Sequence, residues 1–146
     1  MINVIAPILA FVGFTSIIVL ICVIHSKAKL KRSSCPKCKK IYTYPDDFKV
    51  FAGDLKWERK TKEEWKGDFK YEIEYRVYYR YVGLDFKCSK CGHSHSLVKR
   101  IDVYRSDSNH SQSEAEEISL IKSKLRSMLE PSVFAGKNIK IIGLEE

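Results

Sequence analysis

Cys35-Pro36-Lys37-Cys38 and Cys88-Ser89-Lys90-Cys91-Gly92 decide how the rest of this 146-residue chain is read. Two C-x-x-C turns supply four thiols, and zinc takes four ligands in a tetrahedron. Each turn lets two sulfurs converge on one ion while backbone amides point toward them. Gly92 accepts the left-handed backbone that such a turn wants after its second cysteine. Cys35, Cys38, Cys88 and Cys91 are therefore the expected ligands of one structural zinc ion. Iron in a four-thiolate site and a dithiol redox pair are the alternatives. Lysines 37, 39, 40, 87 and 90 would partly offset the double negative charge of a zinc tetrathiolate. His93 and His95 could each replace a thiolate, but with four cysteines present they read as surface or packing residues. His25 reads as an interface residue and His110 as a loop residue.

These two turns resemble the knuckles of the zinc-ribbon families. The resemblance covers the turns and the strands beside them. It implies knuckles that cap β-hairpins, a structural metal and a function that varies from member to member. Two features depart from the pattern: Lys39 stands where glycine is common, and the stretch from Cys38 to Cys88 is longer than usual.

Working outward toward the N-terminus, the first 24 residues contain no Asp, Glu, Lys, Arg or His, so a mean hydropathy of -0.25 averages two unlike parts. Residues 2–24 as a helix would extend roughly 35 Å, enough for a hydrocarbon core of about 30 Å. Pro7 and Gly13 are tolerated in such helices. Beyond them, residues 26–40 carry seven bases and no acid, while residues 41–146 hold 19 bases and 18 acids. The net charge of +8 thus sits beside the apolar segment, as a topology signal that places the C-terminal part in the cytoplasm and the N-terminus outside. The same collar suits recruitment of anionic lipids. A nucleic-acid binder would spread its basic excess over the folded surface.

A cleaved signal peptide is the rival reading, with Ser26-Lys27-Ala28 as its cleavage site. Its n-region should be positive and its apolar run shorter. A lipidated Cys22 would need small residues before it, and Leu20 and Ile21 are bulky; Cys22 reads as an apolar filler inside the helix. In the cytoplasm thiols stay reduced, so orientation and metal binding support each other.

Between the cysteine pairs, residues 40–44 read as a short strand, Pro45-Asp46-Asp47 as a turn, and residues 48–51 as a second strand. Ala52-Gly53-Asp54 turns into Leu55-Lys56-Trp57, and the charged residues 58–68 look like an exposed loop around Trp65. The clearest alternation follows. Phe69, Tyr71, Ile73, Tyr75, Val77, Tyr79 and Tyr81 form one apolar face, opposite Lys70, Glu72, Glu74, Arg76, Tyr78, Arg80 and Val82. Gly83-Leu84-Asp85 is expected to bend this strand, and residues 97–104 form another. Fourteen of the seventeen aromatics lie between Tyr42 and Tyr104. They are read as the core of an antiparallel sheet of four or five strands, with a stacking platform for single-stranded nucleic acid as the alternative.

Past a polar linker, Ser113 and Glu116 match a capping box. Ile118, Ile121, Leu125 and Met128 recur at helical spacing, with Leu120 and Leu129 widening the stripe before Pro131 stops it. That stripe either docks on the domain's own sheet or, like the anchor helix, meets a protein partner. Residues 139–142 could add a terminal strand.

The expectation is a small α+β chain: one N-terminal transmembrane helix, a zinc-ribbon-like antiparallel β-sheet domain and a short C-terminal amphipathic helix. Its segments are an anchor (1–25), a basic juxtamembrane linker (26–34), the β domain (35–105), a linker (106–113) and a C-terminal helix with a short strand (114–146). Four cysteine ligands leave zinc no open position for water, and no Ser/His/Asp set, phosphate-binding glycine loop or H-E-x-x-H motif occurs. The expected role is a membrane-anchored, non-enzymatic interaction, accessory or regulatory module. A membrane-tethered nucleic-acid binder is the alternative.

Overall fold

The computed structural model describes residues 2–107 and 113–144; His110 lies outside them. The element order is α1 (Ile2–Arg32), β1 (Phe48–Ala52), β2 (Lys56–Lys66), β3 (Phe69–Lys87), β4 (Ser94–Arg105), α2 (Glu114–Met128), a 3-10 turn (Pro131–Val133) and β5 (Ile141–Ile142). The fold class is small α+β: an apolar N-terminal helix, a sheet and a second helix.

Helix α1 has 31 residues and continues to Arg32, so Lys27, Lys29, Lys31 and Arg32 lie on its last turns. Its stretch Gly13–Arg32 is long and apolar enough to cross a membrane, and none of that stretch is buried. The helix ends at Ser33, which is wholly buried. Ser33 N–H donates to Lys29 O (2.9 Å), Tyr42 N–H donates to Ser33 O (2.8 Å), and Glu130 N–H donates to the Ser33 hydroxyl (2.8 Å). The end of the helix is thereby stitched to two separate parts of the domain.

Strand β3, 19 residues long, organises the sheet. One of its edges takes β2 along residues 69–79 and β1 along residues 82–86; the other takes β4 along residues 77–87. The expected all-antiparallel sheet is instead mixed, because β5 pairs parallel to β1 through Val50↔Ile141 and Phe51↔Ile142. The return through α2 supplies the crossover that a parallel pair needs.

Three further expectations are corrected. Residues 40–44 are not a strand: beyond one bridge, Ser34↔Ile41, Tyr42 N–H bonds Ser33 O, Tyr44 N–H bonds Val133 O, and Lys40 and Thr43 close turns to Cys35 and Asp47. Residues 58–68 are not a loop. They belong mostly to β2, joined to β3 by Gly67-Asp68, where Gly67 (φ 64°) supplies the positive φ that a two-residue hairpin turn requires. Nor does β3 stop at Gly83-Leu84-Asp85; it continues through them to Lys87.

That continuation relocates the core. From residue 82 the even positions of β3 become apolar, and Val82, Leu84 and Phe86 are buried together with Ile101 of β4. The core therefore packs on the face that the sequence marks as charged. On the same face Arg80 reaches the buried Glu117 of α2. Ile121, Leu125 and Leu129 are wholly buried there, with Ile118 and Met128 packed at the margin, so the stripe of α2 is spent on the chain's own sheet. Tyr42, Tyr44, Phe48, Phe86 and Phe134 complete the aromatic part of the core. The other aromatics lie outside it. Trp57, Trp65, Phe69 and Tyr71 are exposed on a two-stranded ribbon formed by β2 and the first half of β3.

Candidate metal centre

The two cysteine turns have the same backbone geometry. Cys35 N–H donates to Lys40 O (2.8 Å) and Cys88 N–H to His93 O (2.9 Å). Lys39 N–H donates to Cys35 O (2.9 Å) and Gly92 N–H to Cys88 O (2.8 Å). The residue after each second cysteine is left-handed: Gly92 at φ 70° and Lys39 at φ 61°. The first turn thus adopts the shape that glycine would have made easier. It is closed by the Ser34↔Ile41 bridge, while the second caps the β3–β4 hairpin above the Lys87↔Ser94 pair.

Facing each other, the turns bring the sulfurs of Cys35, Cys38, Cys88 and Cys91 within 4.8 Å of one another. Cys35 Sγ lies 3.5 Å from Cys91 Sγ, and Cys38 Sγ lies 3.6 Å from Cys88 Sγ. A tetrahedron with metal–sulfur bonds of about 2.3 Å has edges of roughly 3.8 Å. The four sulfurs therefore fit one tetrahedral ion. Cys35 and Cys88 are buried in the hydrophobic core and Cys38 and Cys91 pack against it, so the centre is continuous with the folded domain.

The electrostatics suit a cation. Burial raises the Cys35 thiol, but the amides of Cys38 and Lys37 and the neighbouring thiols outweigh it and bring it down to about 6. Against burial, Cys88 is lowered by the amides of Cys91 and Lys90 and the nearby thiols. The His93 amide favours the Cys91 thiolate, yet burial and the other three sulfurs push that thiol up to about 11. Four sulfurs this close resist sharing several negative charges until a cation enters among them.

Asp47 is the residue that sequence reasoning missed. It reads as half of a turn, yet its side chain is wholly buried and spans both knuckles. Its carboxylate accepts from Thr43 N–H (2.8 Å), from Ser89 N–H inside the second knuckle (2.7 Å) and from Lys40 Nζ just past the first (2.7 and 3.0 Å). Its carbonyl accepts from Lys87 N–H (2.7 Å). Burial raises this carboxyl, but the Lys40, Ser89 and Thr43 hydrogen bonds outweigh it and hold it at about 2. Lys40 also bonds the Ser89 hydroxyl. Of the five lysines proposed to offset the cluster, Lys40 is built into it, whereas Lys37, Lys39, Lys87 and Lys90 are exposed. Neighbouring Asp46 is exposed as well, and no local signal separates it from Asp47.

Neither histidine belongs to the four-sulfur cluster. His95 stacks on Phe86 (4.8 Å between centroids), sits 3.3 Å from the Tyr42 hydroxyl and is lowered by burial. Tyr42 is raised by burial and by its bond to Cys35. Cys22 lies on α1, away from the cluster.

No family model matches the chain, and no curated protein or solved structure matches it either.

Proposed function

We propose that this chain is a membrane-anchored zinc-ribbon-like module, with one structural zinc, that works by binding a partner rather than by catalysis. The observation that carries the reading is the closed set of four cysteine sulfurs in the domain core. Four thiolates suit zinc, and a complete ligand set leaves no site for water or substrate. A metal tied to the core in this way acts by holding two distant segments of chain together.

Anchoring is supported by the length and hydropathy of α1, and by exposed Phe14, Ile17, Val19, Leu20 and Ile24 along it. The basic residues from Lys27 to Lys40 support an orientation with the domain in the cytoplasm, where the thiols would stay reduced. The interaction role draws on the β2–β3 ribbon. Trp57, Trp65, Phe69 and Tyr71 are exposed there, and among the described residues no strand pairs with the β3 edge from Phe69 to Tyr75 on the side of β4. Open edges and exposed aromatics are features that partners use.

A nucleic-acid reading gains from the same aromatics, since stacking needs them exposed. Several of the ribbon's bases are paired with acids, however: Lys70 with Glu63, Lys62 with Glu64 and Asp107, Arg59 with Glu74. That pairing weakens the positive potential that a phosphate backbone requires.

The test is elemental analysis of the full chain purified in detergent from membranes, beside a Cys88→Ser/Cys91→Ser variant. We expect about one zinc per chain, lost together with the fold in the variant. A metal-free chain with an intact fold would defeat the central claim. Recovery of the chain without detergent would defeat the anchor. Protease treatment of intact and opened cells reads the orientation.

A further inference from the structure

At the junction of helix and domain lies a cleft that the metal centre does not use. Its volume is about 620 Å³, and Arg32, Lys99, Arg100, Asp102, Lys124 and Ser127 are among its lining residues. Three elements meet there: the last residue of α1, the middle of β4 and the C-terminal half of α2. We propose that this cleft binds the phosphomonoester of a membrane lipid headgroup, a proposal that rests on the reading of α1 as a membrane anchor.

The charges are sorted for such a ligand. Arg100 is already committed: its guanidinium donates to Glu58 (2.6 and 2.9 Å) and Asp102 (2.8 Å) and lies 3.8 Å over the Tyr79 ring. It forms a fixed, neutralised wall. Arg32, Lys99 and Lys124 have no carboxylate partner among the described residues, and all three are exposed. Three uncommitted cations from three elements therefore converge on one cleft. A phosphomonoester carries about -1.5 to -2 at neutral pH and three acceptor oxygens, which matches that set.

Height selects the source of the phosphate. Arg32 is eight residues beyond Ile24, the last residue of the uncharged run, so it stands about 12 Å further along the helix. The interfacial layer on each side of a bilayer is roughly 5–8 Å thick. The cleft then opens just outside the layer of ordinary phosphodiesters, level with a phosphate that projects from a ring on the headgroup, as in a phosphorylated inositol lipid. The joint at Ser33 keeps that height constant, because the helix end is bonded to Tyr42 and Glu130. The collar alone would give diffuse attraction to any anionic lipid. The cleft adds shape and a fixed depth.

The experiment uses the full chain in detergent, with native mass spectrometry counting the lipid copies retained. The probes are phosphatidylinositol monophosphate, phosphatidylserine and water-soluble inositol phosphate. We expect one copy of the phosphorylated inositol lipid to be retained at least about tenfold more tightly than phosphatidylserine. An Arg32→Ala/Lys99→Ala/Lys124→Ala variant should lose about tenfold to a hundredfold. A Lys27→Gln/Lys29→Gln/Lys31→Gln variant removes as much charge from the helix and should keep the preference. Because the three cleft residues are exposed, the domain is expected to stay folded; retained metal checks this, and Lys124→Glu offers a single-site version.

Equal retention of the two lipids, or an unchanged cleft variant, overturns the proposal. Soluble inositol phosphate bound as tightly as the lipid assigns the cleft to a free phosphate and overturns the lipid source. Flotation with pure phosphatidylcholine vesicles reads the anchor by itself. Failure there overturns the anchor and the cleft proposal together, whereas flotation without lipid preference overturns the cleft alone.

Discussion

Lys39 and Gly92 occupy the same position in two turns of the same shape, yet one carries a side chain and the other does not. A Cβ added at Gly92 would meet nothing within 4 Å, so the cost of Gly92→Ala is purely conformational. That cost should be about 1–2 kcal/mol in denaturant melts. Lys39→Gly relieves the same strain while loosening the unfolded chain, and is expected to change stability by less than about 1 kcal/mol. Asp47 is the other residue whose removal should be felt well beyond its size. Asp47→Ala leaves the Thr43 and Ser89 amides and Lys40 without their acceptor, at a cost of roughly 3 kcal/mol. By loosening the turn that carries Cys88, it should also weaken metal binding about 10–100-fold. A competitive chelator titration measures that. The cysteines were legible in the sequence because their spacing is itself the chemistry. Asp47 was not, since Asp46-Asp47 after proline looks the same whether the second carboxylate faces water or both knuckles.

At the level of elements, the alternation from Phe69 to Tyr81 correctly announces a strand but not its inner face. The apolar side of the first half is the aromatic one. In the second half Val82, Leu84 and Phe86 take over on the opposite side, and an expected bend at Gly83 hides that change. Residues 58–68 escape recognition for a related reason. Strand β2 itself has no apolar alternation, and its strand character comes from cross-strand pairing with β3. Two ion pairs hold elements together and can be tested. Arg80→Ala strands the nearly buried Glu117 on α2 and should cost about 3 kcal/mol. Glu117→Gln should cost less, because no charge is left behind. Glu58 is held at about 2 by Arg100 and Lys60. Because this carboxyl is lowered on folding, its contribution is complete above the unfolded value of about 4.3 and is lost as pH falls toward 2. Replacing Arg100 by Gln should therefore flatten the stability profile between about pH 4 and pH 2, as followed by fluorescence-monitored denaturation.

For the whole molecule, the four-cysteine cluster and the core are one structure, since Cys35 and Cys88 belong to the buried cluster. Binding a structural zinc contributes about 10–16 kcal/mol in small peptides, comparable to or larger than the 5–15 kcal/mol stability of a whole domain. Removing the metal with a strong chelator is therefore expected to abolish the cooperative melt of the domain while α1 stays helical, a contrast that circular dichroism resolves. The joint at Ser33 has a mechanical consequence as well. On the proposed anchoring, α1 would run unbroken from bilayer to sheet and transmit its attitude, since a membrane helix tilts to match the thickness of the lipid around it. With Ser33 clamped between Tyr42 and Glu130, a tilt of the helix would become a rotation of the domain. The ribbon, about 35 Å long, acts as a pointer fixed to that pivot. For a chain anchored in this way, the position of its aromatic tip would then report the thickness of the surrounding bilayer.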